Sequence, residues 1–135
     1  MDEAEIRRRL RVAGWDPVTL EVWRRAGYKC EYCGKNFIES PDDYYFGAHV
    51  DHIVPSAGDD SLNLALACRA CNFIKRDERF LVEGETLPAS EIEGRALILS
   101  LATAYIASVR TENEKRLATD LQLLSMLDAL PAVQA

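Results

Sequence analysis

Four cysteines, arranged as two widely separated pairs, constrain the fold of this chain more than any other feature. The pairs are Cys30–Glu31–Tyr32–Cys33 and Cys68–Arg69–Ala70–Cys71. A gap of two residues lets both thiolates of a pair reach one metal ion, and two such pairs are typical of a structural Zn²⁺ site. Gly34 follows the first pair and favours the sharp turn of a zinc knuckle, because glycine tolerates a positive φ. We therefore expect one Zn²⁺ to be bound by Cys30, Cys33, Cys68 and Cys71.

Two other interpretations of the cysteines stay open at this point. The pairs can be unrelated, with one of them a redox motif, or the chain can bind zinc without any further chemistry. A redox C-x-x-C motif is typical of a βαβ context, and the pattern of this chain does not predict one. Disulfides are also rare in a reducing compartment. The N-terminus lacks the apolar run of a secretory signal, so we expect a cytoplasmic protein.

The 135 residues are expected to form a single domain, 1–135. The net charge of −6 argues by itself against a nucleic-acid partner. The charge is uneven, however: residues 1–35 and 69–79 each carry a net charge of +2, whereas residues 36–68 carry six acidic residues and no Lys or Arg. Carboxylates between basic flanks suit a divalent cation, although a solvated acidic loop has the same composition.

Helices are predicted on both sides of a small central unit. The N-terminal helices occupy 1–27, where Asp16 followed by Pro17 is typical of a helix start. Aromatic and β-branched residues predict a strand over Tyr44–Val54 with a bend near Gly47. A second strand is predicted at Leu64–Ala67, and a helix follows at Arg69–Arg79.

A C-terminal helical extension is predicted over residues 89–130. Ser90 and Glu93 form a capping box at its start, and a second box at Thr111–Glu114 leaves open whether one helix or two follow. The extension carries more large apolar side chains than a small zinc core can cover. They pack either against the N-terminal helices around Trp15 and Trp23 or against a second copy of the chain, which would form a homodimer.

An ordered set of residues lies between and beyond the cysteine pairs. The set begins with the run Asp51–Pro55, continues with Asn63–Leu64, and ends with Asn72 and Lys75 directly after the second pair. Together with the cysteines, these residues resemble the HNH endonuclease family, in its four-cysteine, zinc-containing branch. The resemblance covers about residues 28–76. It implies an α+β, mostly α fold with a small ββα-metal core at 28–80.

The same resemblance implies a metal-dependent endonuclease that hydrolyses phosphodiester bonds of DNA. His52 would be the general base, and an imidazole suits this role because its ordinary pKa lies near neutrality. Asp51 and Asn72 would bind a catalytic Mg²⁺ or Mn²⁺, since their oxygens are ligands that these ions prefer. Asn63 would orient the site, either through the backbone or through the imidazole of His52.

Three further residues each have more than one interpretation. Lys75 and Arg76 are expected to contact substrate phosphate, but a lysine at this place can also be a solvated helix charge. His49 precedes Asp51 by two residues and should share its strand face. A third metal ligand, an orienting residue and a packing residue are all open interpretations of His49.

The chain departs from the family pattern in three places. The loop from Pro55 to Asn63 is short and keeps only Gly58, Asn72 stands in place of the final His, and Arg76 stands where Gly is common. A non-catalytic zinc-stabilised module that binds nucleic acid or protein therefore remains the alternative function. The presence of Asp51, His52 and Asn72 favours catalysis, because a binding module has no need of all three.

Overall fold

The computed structural model describes residues 1–55, 58–76 and 92–132, and its fold is α+β and mostly helical. A two-stranded antiparallel sheet and a short helix form the centre, as predicted. A π-helical turn at Asp43–Gly47 and a 3-10 turn at Ser61–Asn63 precede the two strands. The elements are α1 (Glu3–Val12), α2 (Pro17–Arg25), β1 (Ala48–His52), β2 (Leu64–Cys68), α3 (Arg69–Lys75) and α4 (Ile92–Asp128).

The two N-terminal helices begin at aspartate caps. The carboxylate of Asp2 accepts a hydrogen bond from the Glu5 amide at 2.8 Å, and that of Asp16 accepts one from the Thr19 amide at 2.9 Å. Each bond satisfies an amide that a helix start leaves without a partner. In α2, the predicted start at Asp16 and Pro17 is confirmed.

The sheet carries the central core. Strand β1 pairs with β2 from Ala48 opposite Cys68 to His52 opposite Leu64. All five residues of β2 are buried, whereas β1 exposes His49 and Val50. Helix α3 follows β2 without a loop, so the β2–α3 junction places the second cysteine pair at one end of the sheet. The remaining large core residues come from the loops and from α2 and α4: Val22, Trp23, Phe37, Ile53, Ile98 and Ile106.

The strand predicted from Tyr44 begins later, at Ala48, because the residues before it form the π-helical turn. The ring of Tyr44 packs against Trp23 at 5.5 Å and against Trp15 at 6.2 Å. Aromatic residues favour strands only where a pleated surface is available to pack against. Here the ring of Tyr44 packs against Trp15 and Trp23 instead of adding to the sheet. The π-helical turn leaves Tyr45 and Phe46 exposed.

Helix α4 is one continuous element of 37 residues, about 55 Å in length, so the possible break at Thr111 is not observed. Its first half packs on the core through Ile98, Ala102 and Ile106 and lies mainly against α3 and the 3-10 turn. The guanidinium of Arg95 also pairs with Glu31 at 2.8 Å. Every residue from 111 to 132 is exposed. The capping residue Ser90 and residues 77–79 of the predicted central helix lie outside the described residues.

Candidate functional site

The four cysteines come together at the end of the sheet where β2 meets α3. Their sulfur atoms all lie within 4.8 Å of one another, and the Sγ atoms of Cys33 and Cys68 are 3.7 Å apart. The first pair sits on a knuckle that is closed by a hydrogen bond from the Gly34 amide to the Cys30 carbonyl at 2.8 Å. Gly34 has a φ of 82°, as the sequence predicted.

This donor set fits zinc. Four sulfurs bound tetrahedrally to one Zn²⁺ at about 2.3 Å lie about 3.8 Å from each other, close to the Cys33–Cys68 separation. A hydrogen bond from the Cys71 thiol lowers the pKa of Cys30 to about 4, and the same bond together with burial raises the pKa of Cys71. The hydrogen bond between these two sulfurs thus favours the thiolate at Cys30 over the thiolate at Cys71. The four ligands would leave no open position, so a bound zinc here would be structural.

Two arginines of α4 compensate the negative charge around the cysteine cluster. Arg110 donates a hydrogen bond to the Cys71 sulfur at 3.0 Å. Arg95 pairs with Glu31, which lies inside the first cysteine pair and accepts a hydrogen bond from the Leu66 amide at 2.8 Å. Long-range contacts of this kind leave no local pattern in the sequence, so neither arginine was predicted to contribute.

A second group of polar residues lines a cleft of about 480 Å³ near the other end of the sheet. The predicted site residues His49, Asp51, His52 and Asn72 all line it, and so do Lys75 and Arg76. A larger cleft of about 820 Å³ lies beside the cysteine cluster and shares Arg69 and Phe73 with the first. The larger cleft is not lined by His49, Asp51, His52 or Asn72. The smaller cleft is therefore the candidate active site.

Two residues hold the carboxylate of Asp51, and both contact the same oxygen atom. The hydroxyl of Tyr32 donates to Oδ2 at 2.7 Å, and the ammonium of Lys75 lies 3.2 Å from the same atom. Burial and the negative charge of Asp51 raise the pKa of Tyr32, which keeps the phenol protonated as a donor. Within the described part of the chain, Oδ1 of Asp51 takes no hydrogen bond and remains able to bind a ligand.

The imidazole of His52 is held by a carboxylate that the sequence analysis did not select. Its Nε2 lies 2.6 Å from Oδ1 of Asp59, a residue of the loop between the strands whose side chain is 93% exposed. A carboxylate accepts hydrogen bonds, so Nε2 is the donor in this contact, and in the neutral imidazole Nδ1 is then the nitrogen with the lone pair. The loop sequence Gly-Asp-Asp contains two equivalent candidates, and only the fold shows that Asp59 is the one in contact.

Asn63 is fully buried and fastens the loop that follows β1. Its amide oxygen accepts from the Val54 backbone at 2.9 Å, and its amide nitrogen donates to the carbonyls of Val54 and Gly58 at 2.9 and 2.8 Å. The sequence predicted that Asn63 orients the site either through the backbone or through the imidazole of His52. In the structure its contacts are with the backbone. Asn63 orients the turn that carries His52 and Asp59 and does not contact the imidazole in the described structure.

The two predicted phosphate contacts differ in exposure. Lys75 is 1% exposed, and its ammonium donates to the backbone carbonyl of His52 at 2.8 Å besides pairing with Asp51. A direct phosphate contact by Lys75 does not agree with this burial. Arg76 is exposed, and its guanidinium lies 4.8 Å from the centroid of the exposed Phe73 ring.

Asn72 and His49 remain available to a ligand. Asn72 lies on α3 and is half-buried, while His49 lies on β1 and is exposed. Neither side chain forms a hydrogen bond to another residue in the described regions. Both line the same cleft as Asp51.

Comparison with known proteins finds a similarity in this central segment. Residues 30–78 match the family model for HNH endonuclease, which indicates a function related to nucleic acids. The chain matches none of the curated proteins and none of the solved structures with which it was compared. Among the described helices, none combines the length and the apolar character that a membrane span requires. The predicted resemblance is thus confirmed: the segment that holds both the cysteine cluster and the His52 cleft is similar to the HNH endonuclease family.

Proposed function

We propose that the protein is a metal-dependent DNA endonuclease whose active site is the His52 cleft. One observation supports this most: a single cleft is lined by His52, Asp51 and Asn72, and among the described residues nothing forms a hydrogen bond to Nδ1 of His52, Oδ1 of Asp51 or the amide of Asn72. Hydrolysis of a phosphodiester needs a base for the attacking water and charge stabilisation for the leaving oxygen. The cleft offers residues for both tasks.

In this proposal, His52 accepts the proton of the attacking water at Nδ1. The contact between Nε2 and Asp59 fixes the tautomer and stabilises the imidazolium that forms. Asn63 and Lys75 hold the backbone from His52 to Val54, because they donate hydrogen bonds to the carbonyls of Val54 and His52. The base is therefore positioned by its own main chain as well as by Asp59.

Asp51 and Asn72 are the proposed ligands of the catalytic divalent ion. Their oxygens come from β1 and α3, and oxygen donors from two elements suit Mg²⁺ or Mn²⁺. When bound, the ion would neutralise negative charge on the phosphate and the leaving oxygen. Tyr32 and Lys75 hold Asp51 through Oδ2, so in this proposal Oδ1 is the atom that binds the ion.

The substrate is proposed to lie across α3. Arg69, Phe73 and Arg76 line the cleft on this helix, and Arg69 and Phe73 also line the larger cleft beside the cysteines. Exposed guanidinium groups are typical phosphate contacts. They supply local positive charge in a chain whose net charge is −6. We further assign 28–80 as the catalytic core of a single domain, with 1–27 and 89–130 as its flanking helical segments.

Cleavage of supercoiled plasmid in Mg²⁺ or Mn²⁺ tests the proposal. We expect the wild-type protein to cut, and His52→Ala to lose about 10²–10⁴ of the rate, which is the usual contribution of a general base. Asp51→Ala and Asn72→Ala should raise the concentration of divalent ion required. His49→Ala, the second histidine of the same cleft, is the matched comparison and should retain more activity than His52→Ala.

Two results would contradict the proposal. Cleavage by His52→Ala at the wild-type rate, with zinc content and circular dichroism unchanged, would remove the assigned base. Binding of DNA in a gel-shift assay without cleavage in any divalent ion would favour the alternative, a zinc-stabilised binding module on the same scaffold.

A further inference from the structure

Two exposed phenylalanines line the larger cleft, the one of about 820 Å³ beside the cysteine cluster. Phe46 lies on the π-helical turn and is 73% exposed, whereas Phe73 lies on α3 and is 67% exposed. A ring left in water forgoes the free energy that its burial would give. Ligand pockets of about 300–1,000 Å³ are lined mostly by apolar and aromatic side chains, so two such rings in one cleft of this volume indicate a ligand site.

The larger cleft adjoins the His52 cleft along α3. Arg69 and Phe73 line both clefts, and they lie on one face of the helix because they stand four residues apart. DNA is a polymer, so a strand whose scissile phosphate lies in the His52 cleft continues to the neighbouring nucleotides on either side. A strand that follows this face of α3 therefore places a neighbouring nucleotide at the larger cleft.

The charges of the two clefts favour different parts of that nucleotide. Among the described charged residues that line the larger cleft, Lys35 pairs with Asp43 at 3.2 Å, and Arg110 donates a hydrogen bond to a sulfur of the cysteine cluster. The other two, Arg69 and Asp42, carry opposite charges. A phosphate therefore gains little in the larger cleft, whereas an uncharged base needs only an aromatic surface. The His52 cleft, with its arginines and the proposed divalent ion, suits the phosphate.

We propose that the larger cleft binds an unpaired nucleobase of the DNA substrate, next to the scissile phosphate, by stacking on Phe73 and Phe46. The guanidinium of Arg76 lies over the Phe73 ring, 4.8 Å from its centroid, and this contact steadies the ring. Every base has a π-face, so the cleft accepts any base. The bases of a continuous duplex are already stacked on one another, so the cleft favours single-stranded DNA. The choice of DNA rests on the proposed nuclease function.

Fluorescence anisotropy tests the proposal with a labelled single-stranded oligonucleotide and with the same sequence as a continuous duplex. The full chain carries His52→Ala in every sample, and Ca²⁺ replaces Mg²⁺, so that the DNA remains uncut. Phe46→Leu combined with Phe73→Leu replaces both rings by apolar side chains that cannot stack. Tyr45→Leu is the matched control, because Tyr45 is 71% exposed and precedes Phe46 but lines neither cleft.

We expect the parent chain and the Tyr45→Leu control to bind the single strand more tightly than the duplex. The Phe46/Phe73 variant should lose about tenfold or more of its affinity for the single strand, as is usual when a stacking ring is removed, and keep its affinity for the duplex. All three substituted residues are exposed, so circular dichroism and zinc content should match those of the parent. Tighter binding of the duplex by the parent overturns the proposal. Unchanged single-strand affinity in the Phe46/Phe73 variant, or an equal loss in the control, also overturns it.

Cleavage of the same oligonucleotides in Mg²⁺ or Mn²⁺, by chains that keep His52, is a separate readout. Binding that depends on the two rings, without cleavage in either ion, would contradict the proposed nuclease function and support the base-binding cleft. Cleavage of both DNAs at equal rates, unchanged in the Phe46/Phe73 variant, would contradict the base-binding cleft and support the nuclease function. The two proposals can therefore fail separately.

Discussion

The two ends of the β1–β2–α3 unit contrast in how their functional side chains are held. At the cysteine end, Cys30, Cys68 and Cys71 are at most 4% exposed, Cys33 lies at the surface, and all four sulfur atoms lie within 4.8 Å of one another. At the cleft end, the side chain of His52 is 42% exposed, and that of Asp59 is 93% exposed. The same short unit therefore combines a closed cluster with an open one.

The contrast separates folding from chemistry. A metal with four protein ligands and no open position contributes free energy of folding but no reactivity. A cleft with unbound oxygen and nitrogen atoms contributes little to folding, because those atoms remain solvated, but it can bind a reacting group. We therefore expect substitutions at the cysteine end to change stability and those at the cleft end to change activity. Substitutions in the contacts that connect the two ends should change both.

Cys71→Ser should have the largest effect. Zinc binding to a site of this type contributes about 10–16 kcal/mol to folding, and loss of one thiolate removes most of it. We expect loss of stoichiometric zinc and of the cooperative thermal transition, as measured by metal analysis and calorimetry. Ala70→Ser, which places the same side chain on the preceding exposed position of α3, is the control. Normal stability in a Cys71→Ser protein without zinc would refute a structural metal site.

Arg95→Met should destabilise the protein by about 3–5 kcal/mol, because it leaves Glu31 buried without its cation. Both partners of this pair are at most 13% exposed, and they connect α4 to the first cysteine pair. Lys115→Met breaks a pair that is more than two-thirds exposed, with Glu112, and should change stability by less than about 1 kcal/mol. Chemical denaturation measures both. Equal effects would show that Arg95 does not anchor α4.

Tyr32→Phe connects the two ends, since Tyr32 belongs to the first cysteine pair and donates to Asp51. The variant should lose about 1 kcal/mol of stability with its hydrogen bond. It should also shift the divalent-ion dependence of cleavage, because Oδ2 of Asp51 loses one of its two donors. Tyr45→Phe, at an exposed ring, controls for loss of a phenol. An unchanged ion dependence would confine Tyr32 to a structural role.

Asp59→Ala should have the smallest effect on stability, below about 0.5 kcal/mol, because the side chain is exposed. Its effect on cleavage should be larger, about tenfold or more, since the imidazole of His52 loses the acceptor that fixes its tautomer. Asp42→Ala removes another exposed carboxylate and should leave the rate unchanged. Wild-type cleavage by Asp59→Ala would exclude the contact from the mechanism.

Much of the core could be predicted because its signals are local. The cysteine spacing, Gly34 and the Asp16–Pro17 helix start each follow from the backbone geometry of a few consecutive residues. The strand predicted at Tyr44 began too early because its conformation depends on Trp15 and Trp23, which are distant in the sequence. The C-terminal extension was predicted to be helical. Its sequence pattern allowed either one helix or two with a break at Thr111, and the structure has one continuous helix.

The sequence by itself determined the chemistry available to this protein: four thiolates at knuckle spacing, and the set of Asp51, His52 and Asn72. Only the tertiary structure decided how those groups are used. It buries Lys75 against Asp51, selects Asp59 rather than Asp60 as the partner of His52, and leaves half of α4 beyond the core. The physical reason is the range of the interactions. Ligand spacing and helix caps act over three or four residues, whereas burial and ion pairing depend on segments that meet only after the chain has folded.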